Sequence, residues 1–245
     1  MLKNLETLPD VVKKRVLGYV EEMLSIQGDK IISVALYGSA VGKDFSKKAS
    51  DINIAIIFSE LGFSDLKKSQ KLISNGLKKR IPAPLFLTKP YIESSTDVFP
   101  IEFLEMKENH ITIYGDDILS EIEVSKENLR LECESQIKGK LIRIRQAYLS
   151  MVGKKRGIEN LLKESLNSLI PVFKGLLRLK GITLPSGKEE ILRETAETFG
   201  YDSDVFVKIF QDRQNDKRIA GMDVEIFFEM YLNQLQGLAG SINEI

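Results

Sequence analysis

The spacing of apolar residues changes about halfway along this chain. In the first half, short β-branched and apolar runs alternate with patterns of helical spacing, whereas the second half contains helical patterns alone. Short apolar runs bounded by glycine predict buried strands, and apolar residues three or four apart predict amphipathic helices. We therefore expect an α+β fold, with a small mixed β-sheet and helices over residues 1–120 and an all-α helical bundle over residues 121–245.

The individual elements follow from the same spacing. In the first half, helices are expected over about residues 8–27 and 64–79. Strands are expected at 31–37, 51–58 and 98–106, with shorter extended pieces at 85–87 and 111–114. In the second half, helices are expected at about 137–151, 158–179, 202–214 and 223–238, and a capping box at Ser186–Glu189 opens another.

The overall composition narrows the choice of partners and compartment. Among 245 residues, 35 basic and 35 acidic side chains give a formal net charge of zero. General nucleic-acid binders carry a basic excess, so this balance argues against nucleic acid as a partner. The single cysteine cannot form an internal disulfide, and we expect a cytoplasmic protein. No apolar run is long enough for a membrane span, so no membrane partner is expected, and a homodimer is left open.

The most specific pattern joins the first two expected strands. A Gly38–Ser39 pair ends the first strand, and Asp51 and Asn53 stand two residues apart on the second. Alternate residues of a strand face the same side, roughly 6.5–7 Å apart, so two oxygen-bearing side chains there suit Mg²⁺. Ser39 and backbone N–H groups after a glycine turn suit phosphate oxygens, with Lys43 as a further phosphate partner. The alternative is purely structural, with a Gly-Ser pair ending one strand and an Asp turn residue opening the next.

With Leu-Tyr-Gly-Ser at 36–39 and Ser-Asp-Ile-Asn at 50–53, the sequence resembles the DNA polymerase β superfamily of nucleotidyltransferases. That superfamily carries a strand, a Gly-Ser pair, a short gap and then an Asp-hydrophobic-acid pattern on the next strand. The helical second half is similar to kanamycin nucleotidyltransferase and its relatives. The resemblance implies a nucleotidyltransferase-like sheet, two metal ions, and attack on the α-phosphate of a nucleoside triphosphate with pyrophosphate as the leaving group.

One residue departs from the superfamily's pattern. Asn53 stands where a second carboxylate usually bridges both metals, and an amide brings no negative charge. We expect a Mg²⁺-dependent nucleotidyltransferase that moves a nucleoside monophosphate from a nucleoside triphosphate, ATP in the first instance, to a hydroxyl of a small molecule or protein. The alternative is a catalytically impaired nucleotide-binding or protein-interaction module of the same fold.

The resemblance also implies a third carboxylate on a neighbouring strand, as a metal ligand or general base. Glu102 and Glu105 both lie in the strand expected at 98–106. On a strand, the alternating bulky apolar residues form the core face, which Glu105 continues, and Glu102 falls on the other face. Glu102 is therefore the expected catalytic and metal-binding residue, and a solvated or ion-paired strand residue is the alternative.

Basic residues cluster in the second half. Between residues 138 and 156 the chain contains no acid, and Lys138 and Lys140 are expected to contact the triphosphate. The alternative is a solvated helix face with ordinary surface lysines. His110 is the only histidine, which argues against a Cys/His metal cluster or a Ser-His pair. We expect it to be a surface or hydrogen-bonded residue.

Overall fold

In a computed structural model, residues 2–41, 50–151, 154–215 and 223–242 of the chain are described. The chain divides into two units, Met1–Val124 and Ser125–Ile245. The first unit combines a sheet with helices, and the described residues of the second unit form helices and their connections without a strand. The expected α+β fold is confirmed.

The first unit contains a four-stranded mixed sheet in the order β3-β2-β1-β4. Its strands are β1 (Ile31–Tyr37), β2 (Asn53–Phe58), β3 (Leu85–Thr88) and β4 (His110–Gly115). β1 lies antiparallel to both β2 and β4, whereas β3 lies parallel to β2 at one edge. The small mixed sheet predicted from the sequence is therefore confirmed.

Helices pack on both faces of this sheet. They are α1 (Asp10–Gln27), α2 (Phe63–Leu77), α3 (Lys89–Ser95) and α4 (Pro100–Glu108). On one face, Leu36, Ile54 and Ile56 are buried in a core with residues of α1 and α2. On the other face, Ala35 and Ala55 are buried in a second core with residues of α3 and α4. Alternation along β1 and β2 thus separates two cores, as the strand period requires.

The strand predicted over 98–106 is wrong, because the helix α4 occupies most of this segment. Its apolar residues alternate at the start as on a strand, but Pro100 takes a first-turn helical position, where its fixed φ suits a helix and its missing N–H loses no bond. Glu102 in the first turn and Lys107 in the last turn both suit the helix dipole. The strand parity that separated Glu102 from Glu105 therefore does not apply.

The second unit has five helices in its described residues. They are α5 (Lys126–Leu149), α6 (Lys155–Leu179), α7 (Lys188–Phe199), α8 (Asp204–Gln214) and α9 (Val224–Ser241). α6 packs against each of the other four, so it forms the centre of the predicted bundle. The capping box predicted at Ser186–Glu189 is wrong by one residue, because the N–H of Gly187 donates to the carboxylate of Glu190 at 3.0 Å. Within the described ranges, no helix is long and apolar enough to span a membrane.

Candidate functional site

Three polar residues form a row across the sheet at the end of β1. Tyr37 is the register partner of Asn53 on β2 and of His110 on β4. Directly opposed residues of antiparallel strands share a face, with Cβ atoms roughly 4.5–5.5 Å apart, so the three side chains lie on one face. It is the face on which Ala35 and Ala55 are buried. The row lies beside the turn that follows β1.

The turn after β1 begins with a glycine in the left-handed region. Gly38 has φ +72° and opens a single 3-10 turn. Its N–H donates to the carbonyl of Asn109 at 3.0 Å. A Cβ atom on Gly38 would lie 3.4 Å from Nδ2 of Asn53. The half-buried Ser39 is therefore held at the same end of the sheet as Asn53.

Asp51 lies two residues before the start of β2, and its side chain is exposed. Between Asp51 and the strand, Ile52 is fully buried in the same core as Ile54. The N–H of Ile52 donates to the carbonyl of Arg80 at 2.9 Å, which fixes the segment ahead of the strand. Ile52 and Ile54 are buried, whereas Asp51 is exposed and Asn53 is half-buried, which is the alternation expected of an extended segment. The two parts of the predicted motif thus lie at neighbouring strand ends.

His110 is hydrogen-bonded through both ring nitrogens. Its Nδ1 lies 2.9 Å from the carbonyl oxygen of Met106 and 3.0 Å from that of Lys107, and its Nε2 lies 2.7 Å from Oδ1 of Asp117. The same Oδ1 accepts from the hydroxyl of Thr112 at 2.8 Å. Partial burial alone would raise the pKa of Asp117, but the hydrogen bonds from His110 and Thr112 outweigh it and hold this pKa below its ordinary value. His110 is thus a hydrogen-bonded residue, as expected.

The described residues offer Mg²⁺ few acidic ligands. No three of their His, Cys, Asp and Glu side chains are grouped closely enough to hold a metal ion. The strands on either side of β2 carry no carboxylate, since β1 has the sequence IISVALY and β3 has LFLT. Asp51 and the amide oxygen of Asn53 fit one ion whose remaining ligands come from a triphosphate. They do not fit the two-ion arrangement, which needs a bridging carboxylate.

Glu102, the expected third carboxylate, is an exposed residue of the first turn of α4. Seven residues separate it from Asn109, about 10 Å of helical rise, so Glu102 lies at the opposite end of α4 from the Gly38 turn. Glu105 lies one turn before Asn109, whose N–H donates to the Glu105 carbonyl at 3.0 Å. Glu105 is therefore the nearer of the two to the turn. The role of Glu102 stays a prediction, without the strand parity that supported it.

The three lysines predicted to contact phosphate have separate outcomes. Lys43 lies outside the described residues. Lys138, on α5 in the second unit, forms an ion pair with Glu134 one turn earlier. Lys140 is half-buried, and this burial, followed by the nearby charge of Arg143, lowers its pKa. Lys140 is the more desolvated cation, and phosphate contact stays a prediction for all three.

A pocket of about 300 Å³ opens in the first unit between α3 and residues 118–123. Its rim includes the ion pair of Lys89 with Glu121, at 3.0 Å. None of the residues predicted for the site lines this pocket. It is therefore distinct from the Gly38 turn.

Tyr37 and His110 were not among the predicted site residues. Two local features point to them, because Tyr37 directly precedes Gly38 and His110 is the only histidine. Their alignment with Asn53 depends on strand register, which joins residues far apart in the chain.

The sequence matches no protein-family model and no curated protein. The fold is similar to that of the spectinomycin adenyltransferase AAD(9) from Enterococcus faecialis, whose crystal structure was determined with ATP and spectinomycin. The TM-score is 0.54 at 12% sequence identity, and the match covers 91% of this chain and 98% of that chain. At this identity the likeness establishes the fold alone, which is similar to that of a nucleotidyltransferase.

Proposed function

We propose that this chain is a nucleotidyltransferase that moves a nucleoside monophosphate from a nucleoside triphosphate to a hydroxyl of a small molecule. The observation that carries the proposal is the pairing of Tyr37 with Asn53, which brings the Gly38–Ser39 turn beside the Asp51–Asn53 segment. A phosphate-binding turn and a metal-binding segment need this proximity, because the metal bridges the protein to the phosphates.

Each residue has a separate task in the proposed function. Ser39 binds a phosphate oxygen through its hydroxyl, and Asp51 supplies the negative charge that holds Mg²⁺, with Asn53 as a neutral oxygen ligand. Mg²⁺ bound there would neutralise part of the triphosphate charge. The comparison with AAD(9), determined with ATP and a small molecule, supports ATP as the donor and a small molecule as the acceptor.

A second candidate function is nucleotide binding without transfer. It is favoured by one specific observation: position 53 is an amide, and both strands beside β2 lack a carboxylate. A site with one carboxylate can still bind Mg²⁺ and a triphosphate, since phosphate oxygens complete the metal shell. It has no evident group on these strands to accept a proton from an attacking hydroxyl.

Two measurements on the same preparations test both candidates. Calorimetry gives the affinity for ATP with Mg²⁺, and a pyrophosphate-release assay with a panel of hydroxyl-bearing small molecules gives transfer. Asp51→Asn is compared with Asp97→Asn, the same substitution at an exposed turn residue of the first unit. Transfer lost only in Asp51→Asn supports the enzyme. Binding that depends on Asp51 without pyrophosphate release supports the second candidate, and wild type that binds no nucleotide rejects both.

A further inference from the structure

His110 completes the C-terminal end of α4. The carbonyls of Met106 and Lys107 belong to the last turn of α4, where carbonyl groups have no partner within the helix. The Nδ1 atom of His110 lies within 3.0 Å of both carbonyls. A cation at this position also suits the negative end of the helix dipole. His110 therefore stabilises the end of α4 by hydrogen bonds and, when protonated, by charge.

The residue before His110 connects this helix end to the glycine turn. Asn109 donates its N–H to the carbonyl of Glu105 and accepts the N–H of Gly38 at its own carbonyl, each at 3.0 Å. Its peptide is thus held on one side by α4 and on the other by Gly38. We therefore expect a change that releases His110 from the end of α4 to shift the carbonyl to which Gly38 donates.

The partners of His110 require a proton on each ring nitrogen. Carbonyl oxygens and an ionised carboxylate only accept hydrogen bonds, so Nδ1 and Nε2 must both donate. The lowered pKa of Asp117 keeps that carboxylate ionised at neutral pH. The His110 side chain is 8% exposed, so water cannot readily replace a lost partner. The full set of bonds exists only in the cationic form of the ring.

Three other ionisable residues of the described chain lie near His110 in sequence or in the sheet, namely Lys107, Tyr37 and Asp116. The ammonium of Lys107, on α4, donates to the carbonyl of Ile122 at 2.6 Å. Tyr37 faces His110 across the β1–β4 pair, and burial raises its pKa. The charge of Asp116 acts on Lys89, whose pKa is raised by Glu121 first and by Asp116 to a smaller extent. Asp117 is the carboxylate that is hydrogen-bonded to the His110 ring.

We propose that His110 is a positioning residue for the Gly38–Ser39 turn, and that its protonated form holds the turn in the nucleotide-binding conformation. The inference rests on the proposed function only in taking a nucleotide as the ligand. The effect of His110 on the conformation of the turn does not depend on a ligand. It makes nucleotide affinity higher when His110 is protonated than when it is neutral.

The first test uses the full-length protein without nucleotide. The backbone amide resonance of Gly38 is followed by NMR while pH is raised from about 5 to about 8, the general range for histidine side chains. We expect the Gly38 amide to shift with the same midpoint as the His110 ring, and this shift to disappear in His110→Gln. A Gly38 amide that does not follow the ring overturns the inference.

The second test measures ATP affinity with Mg²⁺ by calorimetry over the same pH range. Wild type is expected to bind about tenfold more weakly at the upper end, the order of a lost charge-assisted hydrogen bond. The triphosphate itself also titrates, but its contribution is the same for both proteins. The difference in the pH dependence of ATP affinity between wild type and His110→Gln therefore reports the contribution of the His110 ring. An affinity with the same pH profile in both proteins overturns the inference.

Two further variants separate positioning from general stability. If His110→Gln does not fold, Asp117→Asn takes its place in both tests. This variant keeps the shape of the hydrogen-bond partner of His110 but removes its charge. We therefore expect the Gly38 resonance and the ATP affinity to respond more weakly to pH, with a shifted midpoint. Ser69→Ala removes a buried hydroxyl that bonds Gln27 at 2.7 Å between α1 and α2. Ser69→Ala should lower the melting temperature and leave ATP affinity and its pH profile unchanged. If Ser69→Ala changes the pH profile as His110→Gln does, the effect is one of general stability, and the positioning role of His110 is rejected. If wild type binds no ATP, the proposed function fails, and the Gly38 resonance alone decides the inference.

Discussion

The side-chain amide nitrogen of Asn53 lies 3.4 Å from the position that a Cβ atom would occupy on Gly38. The glycine that opens the turn and the amide residue two positions after Asp51 are therefore direct neighbours. A phosphate held by the turn and an ion held near position 53 would be close enough to share oxygen ligands. Substitutions at Gly38 and Asn53 consequently test the two proposed parts of one site, the phosphate-binding turn and the metal-binding segment.

Gly38→Ala should weaken nucleotide binding more than it weakens the fold. The φ of +72° is unfavourable for any residue with a Cβ by about 1–2 kcal/mol, whereas the contact with Asn53 at 3.4 Å is tight but can relax. Urea denaturation should show a loss of about that size, and calorimetry a clear loss of ATP affinity. The control is Gly200→Ala, at φ +69° with open space around it, which should lose similar stability without a change in ATP affinity. Unaltered ATP affinity in Gly38→Ala would remove the turn from the site.

Asn53→Asp should change ATP affinity in opposite directions with and without Mg²⁺. A unit charge near the ion at an effective dielectric of about 20 is worth a few kcal/mol, so at least about tenfold tighter binding is expected with Mg²⁺. Without the ion, the added charge repels the phosphates and binding should weaken. Asn75→Asp, the same change at an exposed position of α2, should leave ATP affinity unchanged both with and without Mg²⁺. Weaker binding in the presence of Mg²⁺ would show that position 53 does not face the ion.

Local sequence predicted β1 to the residue, because a β-branched apolar run lies between two glycines that stop it. The same kind of reasoning failed at 98–106. There Phe99, Ile101 and Phe103 alternate in a way that fits both a strand and the start of a helix. Pro100 decides between them, since proline is favoured in the first turn of a helix and removes a donor from a strand.

The candidate site could be predicted only where it is contiguous in sequence. Gly38 and Asp51 belong to one recognisable segment that spans a single strand pair. The row from His110 through Tyr37 to Asn53 also needs the pairing of β1 with β4, whose residues lie more than seventy positions apart in the numbering. No hairpin turn joins β1 to β4 and fixes their register, so the position of His110 beside the Gly38 turn could not be predicted from local sequence.

Gly115→Ala should be among the most destabilising single substitutions in the first unit. A Cβ there would lie 1.9 Å from the carbonyl oxygen of Ile32, a backbone atom that cannot move without disturbing the β1–β4 pair. The φ of +68° adds strain, so a loss above about 3 kcal/mol is expected. Gly181→Ala has nearly the same φ, +71°, with nothing within 4 Å, and should show the strain alone. Equal losses of unfolding free energy in Gly115→Ala and Gly181→Ala would mean that the β1–β4 strand pair relaxes around the new methyl group.

The Asp65 carboxylate should make folding stability depend on pH in the acidic range. Its side chain is fully buried and accepts the N–H of Gly62 at 2.9 Å and the ammonium of Lys30 at 3.3 Å. The Gly62 bond, more than Lys30, lowers the pKa of Asp65, whose ordinary value is about 4. A lowered folded-state pKa contributes stability above the unfolded-state pKa, and this contribution is lost as pH falls through the folded value.

Asp65→Asn keeps the shape of the side chain and removes this dependence. Melting temperatures of wild type and Asp65→Asn should therefore differ most near neutral pH and converge as the solution is acidified below about pH 4. Asp97→Asn, at an exposed position, should track wild type throughout. A difference that stays constant down to low pH would mean that the variant loses packing or hydrogen-bond geometry, because removal of the charge alone cannot act where the wild-type carboxyl is already protonated.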